Sequence, residues 1–201
     1  MDAKLHYFGP LLFEIKVSDQ TLSNLRNICS RESPSVNRKL AGILKNQHEV
    51  DSYKYAGIMS EYFESFKHCY NHWYRKNVDF HVTSCWANYM EAGDSNPFHI
   101  HTGCDFSSVL FVDVPTGLEE EVKNYEGTSQ GPGGLNFYYG TGAQYSINQQ
   151  SFTPCVGSFY MFPFNLLHSV QPFKCDGVRL SIAANYNVVE AFYDLDAKGK
   201  K

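Results

Sequence analysis

The hydrophobic period of this chain changes partway along, and that change limits the folds open to it. Before about residue 80, apolar side chains recur at helical spacing, and from Phe80 onward they alternate. The alternating half breaks into short candidate strands: Phe80–Tyr89, Phe98–His101, Ser107–Val112, Gly134–Tyr139, Tyr145–Asn148, Ser158–Phe162, His168–Gln171 and Arg179–Val188. Turn clusters such as Glu91-Ala92-Gly93-Asp94 and Gln130-Gly131-Pro132-Gly133-Gly134 separate them. Evenly spaced short strands after a helical preface predict a mainly β fold with N-terminal helices. Its core is a jelly roll, a double-stranded β-helix whose two sheets enclose a cavity lined by inward side chains.

The first half supplies the scaffold. Leu5 to Val17 reads as an opening strand, and Ser18-Asp19-Gln20 offers a cap for a helix carrying Leu22, Leu25 and Ile28. A second helix is expected from about Lys54 to Arg75, with Ile58, Tyr62, Phe66, Cys69 and Trp73 as the stripe that packs on a sheet. Pro115 to Gly133 is long and polar for a hairpin connection, which suits a lid or substrate loop. Lys198-Gly199-Lys200-Lys201 reads as a frayed end. A chain of 201 residues suits one domain, with 1–79 as scaffold and 80–190 as the jelly-roll core.

Composition removes several classes of function. Aromatics at 15% against charged residues at 19% argue for a packed core rather than disorder. A net charge of -4 provides no global basic field for nucleic acid or anionic lipid. The six cysteines form no Cys-x-x-Cys pair and no zinc-finger spacing, so reduced thiols are expected. Met1-Asp2-Ala3-Lys4 opens no leader, and no apolar run nears the roughly 18 residues of a membrane span. The expectation is a soluble, intracellular, cytoplasmic protein with no membrane partner.

Chemistry concentrates in the β half. On a strand, His99 and His101 stand two residues apart and share a face, so both imidazoles can grip one metal ion. His168 supplies a distal third ligand. Iron(II) that activates O2 needs protein ligands on one face of its octahedron and open positions on the other. Asp105 is the alternative third ligand if the chain bulges after Gly103, and the i+2 spacing favours His101. Arg179 lies eleven residues beyond His168, far enough to return on a neighbouring strand and hold a dicarboxylic keto-acid by a paired, charge-assisted contact. Ser181 would point into the same cavity. The isolated His6, His48, His68, His72 and His81 read as ordinary core or surface residues, and Cys104 is notable only for following His101 closely.

The ordered set Trp86-Ala87-Asn88, His99-Ile100-His101, Ser107-Ser108-Val109-Leu110-Phe111, Gly133-Gly134-Leu135-Asn136-Phe137, Phe162 to Val170 and Arg179-Leu180-Ser181 resembles the iron(II)- and 2-oxoglutarate-dependent dioxygenase superfamily. Within it, the set is most similar to a small family of 2-oxoglutarate oxygenases of marine bacteria and cyanophages. The likeness covers roughly residues 84 to 186, with a weaker echo at Tyr7-Phe8-Gly9-Pro10. It implies Fe(II), 2-oxoglutarate and O2, with His99 as proximal ligand, His168 as distal ligand and Arg179 on the oxoglutarate C5 carboxylate. Asn88 is the further candidate beside the keto-acid. His101 departs from the pattern, since most of the superfamily carries Asp or Glu there. The implied activity is hydroxylation of a peptidyl side chain or small molecule with release of succinate and CO2. A cupin-like three-histidine dioxygenase or isomerase, or a β-sandwich binding module without catalysis, are the competing readings.

Overall fold

The computed structural model describes residues 9–128, 131–142 and 146–190, apart from the side chain of Glu190. Elements follow in the order β1 (Phe13–Lys16), α1 (Asp19–Ile28), a 3-10 turn (Asn37–Lys39), β2 (Gln47–Glu49), α2 (Ser52–Ile58), α3 (Ser60–Tyr74), β3 (Val78–Met90), β4 (Asn96–His99) and β5 (Phe106–Asp113). Then come α4 (Gly117–Lys123), β6 (Leu135–Tyr138), β7 (Gln149–Phe152), β8 (Ser158–Pro163), β9 (Leu167–Val170) and β10 (Arg179–Glu190). A six-stranded sheet in the order β1-β8-β5-β10-β3-β2 faces a four-stranded sheet in the order β4-β9-β6-β7. All named pairings are antiparallel. This is the expected double-stranded β-helix with helices added on the N-terminal side.

The large sheet is covered on both faces, which is why β3 is buried without a break from Cys85 to Met90. Cys85, Ala87 and Tyr89 join Leu110, Ile182 and Ala184 against Leu22 and Leu25 of α1, Tyr55 of α2, Tyr62 and Phe66 of α3, and Met59 between those two helices. Met90 and Phe111 turn the other way and meet Leu135, Phe137, Phe162 and Val170 between the sheets. One period-2 alternation therefore feeds two apolar cores. The site lies in the second of them.

Several sequence expectations change. The single helix from Lys54 to Arg75 is two, broken at Met59, and it begins earlier because Asp51 caps it by accepting from the Tyr53 and Lys54 amides at 3.0 and 3.1 Å. Tyr62 and Phe66 are buried, but Cys69 is exposed and Trp73 is 76% exposed. The buried stripe instead runs through Tyr55, Met59, Tyr62 and Phe66. Of the opening strand only Phe13–Lys16 forms within the described residues, and its first residues, including Tyr7 and Phe8 of the echo, lie outside them. Tyr145 also lies outside, residues 146–148 are not strand, and pairing starts at Gln149. Polar Gln149, Gln150 and Ser151 suit an edge strand better than an alternation rule would suggest. Pro115 to Gly133 is not all loop, since Gly117–Lys123 forms α4, and Gln130 lies outside the described residues, as does the Lys198–Lys201 end. All six cysteines are free thiols. Among the described residues no helix is long and apolar enough to cross a membrane.

Candidate metal centre

His99, His101 and His168 converge, their ligand atoms all within 4.8 Å of one another; no other such cluster of metal-ligating side chains occurs among the described residues. The convergence depends on an irregularity in β4. Asn96 stands opposite Val170, and an unbroken register would put Phe98 opposite His168, with His99 on the outer face. One extra residue shifts the ladder so that His99 itself stands opposite His168. Pro97, which has no amide proton to give the ladder, sits within this bulge on an edge strand. His101 lies just past the end of β4 rather than within it. Its amide donates to the Phe164 carbonyl at 2.9 Å, and its ring lies 5.9 Å from Trp86 in a stacked arrangement.

Hydrogen bonds fix the tautomers. Carbonyls only accept, so the contacts of His99 Nδ1 to the Pro97 carbonyl and of His168 Nδ1 to the Leu166 carbonyl, both 2.8 Å, place the proton on Nδ1. Both rings then carry an Nε2 lone pair that can bind a cation. His101 Nε2 lies 3.3 Å from His168 Nε2, with the two rings nearly parallel at 5°. Burial pulls the His168 imidazole down to about 3 and the His101 imidazole to about 4, and lowers His99 as well. Three neutral, partly dehydrated imidazoles facing one point fit a divalent metal.

Asp105 does not join them. Its carboxylate accepts from the Val188 amide at 2.8 Å, its own amide donates to Tyr186 and its carbonyl accepts from Phe164. These bonds hold the end of β5 to β10 and to the β8–β9 turn, so the alternative third ligand is turned to structural use.

Arg179, Ser181 and Asn88 meet across a β3–β10 ladder in which Ser181 pairs with Asn88 and Arg179 with Met90. A register shift between Leu180 and Ser181 on the β5 side locally bends β10 where Arg179 begins it. A cavity of about 50 Å3 is lined by these residues together with His99, His101 and His168. Arg179 is 1% exposed. Its NH1 donates to the Gly133 carbonyl at 2.7 Å, another amino group meets the Met90 sulfur, its cation lies 5.3 Å from the Phe111 ring centre, and Nε has no partner. Burial pulls the guanidinium down to about 9, which leaves it charged at neutral pH. No carboxylate pairs with it among the described residues. A buried cation without a counter-ion is costly, and a carboxylate ligand would offset that cost. The Gly133 carbonyl is placed by a backbone at φ +68°, where an added Cβ would also come within 3.1 Å of Leu118 in α4. Helix α4 is itself tied down, since Glu121 accepts from the Lys174 and Cys175 amides at 2.8–2.9 Å.

Sequence reading missed Gln47, which lies on a three-residue strand too short to show a period. Its side-chain amide donates to Asn88 Oδ1 at 2.8 Å.

The family described as "Putative 2OG-Fe(II) oxygenase" matches residues 84–185. None of the curated proteins matches the chain. Among solved structures, a Pseudomonas putida prolyl-4-hydroxylase superposes with a TM-score of 0.55 at 15% identity, covering 90% of this chain and 93% of that one. The viral collagen prolyl hydroxylase of Paramecium Bursaria Chlorella virus-1, solved as a 2OG complex, gives 0.55 at 12% identity, covering 87% and 94%. SnoN, a non-heme alpha-ketoglutarate-dependent epimerase from nogalamycin biosynthesis, gives 0.56 at 13% identity, covering 96% and 85%. At these identities the structures share the fold.

Proposed function

The chain belongs to the 2OG-Fe(II) oxygenase family, and from that premise we propose that it hydroxylates a carbon of a second substrate, with His99, His101 and His168 holding iron(II) and Arg179 holding 2-oxoglutarate. The observation that carries the reading is the buried Arg179, paired with no carboxylate among the described residues, lining one cavity with three neutral imidazoles. A three-histidine metalloprotein with no keto-acid has no use for that cation. Hydroxylation as the outcome is supported by prolyl hydroxylases among the fold relatives, and the epimerase marks the other outcome that product analysis would detect.

In this reading His99 and His168 present Nε2 because backbone carbonyls occupy their Nδ1 protons. Arg179 binds the C5 carboxylate, and Ser181 and Asn88 offer a hydroxyl and an amide beside it. Phe111, Leu135 and Phe162 wall the cavity with apolar surface and keep bulk water away. When bound, iron(II) supplies O2 activation, and the overall balance is substrate C–H, O2 and 2-oxoglutarate giving C–OH, succinate and CO2. His101 in place of a carboxylate leaves the site one negative charge poorer than the usual ligand set.

Anaerobic iron(II) titration with and without 2-oxoglutarate tests the reading. A weak visible charge-transfer band requiring both additions is the expected result. Iron binding indifferent to oxoglutarate would move the assignment to a three-histidine metalloprotein, and absence of iron binding would leave only a binding module.

A further inference from the structure

Gln47, Asn88, Ser181 and Phe111 form one row across the large sheet: Gln47 of β2 pairs with Asn88 of β3, Asn88 with Ser181 of β10, and Ser181 with Phe111 of β5. Residues directly opposite on neighbouring strands stand on the same face. The row therefore runs from the β2 edge of the sheet to the metal pocket, whose wall includes Asn88, Ser181 and Phe111 but not Gln47.

What Asn88 presents to the pocket depends on how its amide is turned. Gln47 Nε2 donates to Asn88 Oδ1 at 2.8 Å, which engages the oxygen on the β2 side. Asn88 Nδ2 makes no hydrogen bond among the described residues, and it is not one of the side-chain atoms sealed from solvent without a partner. An unbonded nitrogen with accessible surface, on a buried residue that lines the metal pocket, is a donor offered to that pocket. Turning both amides over would give the pocket an acceptor and seal the Gln47 N–H groups, and orphaned buried N–H groups are rarer than under-satisfied carbonyl oxygens.

Gln47 is built to hold this orientation. Its backbone amide donates to Asn37 Oδ1 and its carbonyl accepts from the Val36 amide, both at 2.9 Å, which ties β2 to the 3-10 turn. Its side chain is fully buried, and Oε1 is sealed without a partner. A sealed acceptor left unbonded works against stability. The side chain's bond to Asn88 is thus what the amide at this position contributes.

On the footing of the oxygenase reading, we propose that Gln47 is a positioning residue for the keto-acid: it holds Asn88 Oδ1 so that Nδ2 donates to the carboxylate that Arg179 takes. Arg179 supplies the charge, and Asn88 supplies a directed N–H only while Gln47 keeps its amide turned.

Anaerobic titration of the iron-loaded protein, read by the visible band, tests this with two keto-acids. They are 2-oxoglutarate and 2-oxopentanoate, which carries a methyl group where oxoglutarate has its C5 carboxylate. Gln47→Met keeps the side-chain length and removes the donor. It deletes one sealed orphan, Oε1, and leaves Asn88 Oδ1 as another, so the fold should hold in urea unfolding. Oxoglutarate should then bind about three- to tenfold more weakly, the worth of one hydrogen bond, while iron and oxopentanoate bind as before. Asn88→Ala should weaken oxoglutarate by roughly tenfold or more, the worth of a hydrogen bond to a charged group. Gln47→Met should add nothing in that background, because the two side chains act as one unit. Undiminished oxoglutarate affinity in Gln47→Met would overturn the proposal. Equal losses for both keto-acids, a further loss in the Asn88→Ala background, or a collapsed urea midpoint would show that Gln47 merely supports the sheet, and would overturn it too. If oxopentanoate gives no band even with the unaltered protein, the Asn88→Ala comparison decides alone. A missing band with oxoglutarate in the unaltered protein would instead sink the oxygenase reading beneath it.

Discussion

At the scale of single residues, the third ligand position separates two chemistries. Asp105 bonds the Val188 amide and His101 faces the other imidazoles, so His101→Ala should weaken iron binding while Asp105→Ala should leave it intact and cost about 0.5–1.5 kcal/mol of stability, read by iron titration and urea unfolding. His101→Asp should retain iron by restoring a carboxylate. Protonation follows from the same burial. Because His168 is held near 3, below its ordinary 6.5, the folded protein binds fewer protons than the unfolded chain between those values. Stability of the metal-free protein should therefore fall as pH drops from about 6.5 toward 3, with no contribution from this group above that window. His168→Gln should flatten that slope in urea midpoints measured across pH. A slope unchanged by the substitution would mean the imidazole is charged in the fold. His99, His101, His168, Arg179 and Ser181 were legible as candidates from their spacing along the chain, whereas Asn88 was a candidate only through the family resemblance. Gln47 was not, since nothing local marks a buried amide whose partner is forty-one residues away.

At the scale of elements, strands proved easier to read than their irregularities. Alternation located β3, β5, β8 and β10 closely, yet the bulge that turns His99 toward His168 arises from pairing between β4 and β9, which no window of one strand contains. The helical stripe shows the same limit. Its period implied one face from Ile58 to Trp73, but which residues on that face find sheet beneath them depends on where β3 begins and on the break at Met59. Phe66 is 1% exposed and rings it with Phe13, Phe80 and Phe106 at 4.8–5.4 Å. Phe66→Ala should cost about 3–5 kcal/mol in chemical denaturation. Trp73→Ala should fall within about 0.5 kcal/mol of zero, the range of a surface substitution. A large loss at Trp73 would mean that the last turn of α3 packs on something.

At the scale of the whole molecule, the two sheets divide the work. His99 and His168 belong to the small sheet and Arg179 to the large one, with the cavity between them. In the proposed site a metal alone would touch one side, whereas a keto-acid bound to that metal and reaching Arg179 would tie both sheets together. Ligands that bind only the folded state stabilise it by about 2.7 kcal/mol at one hundred times Kd, worth roughly 5–11 °C in Tm at about 2–4 °C per kcal/mol for a domain of this size. Anaerobic melting should therefore show one rise with iron(II), a second when 2-oxoglutarate is added to the iron-loaded protein, and much less from oxoglutarate alone. Arg179→Ala should keep the first rise and lose the second, since truncating one side of a buried charged contact costs about 3–5 kcal/mol, or roughly 140- to 4,000-fold in affinity at ~1.4 kcal/mol per decade. Arg179→Lys should recover only part of it, because an ammonium cannot make the planar paired contact. An undiminished oxoglutarate rise in Arg179→Ala would place the keto-acid away from β10 and break the link between the sheets on which the proposed oxygenase site depends.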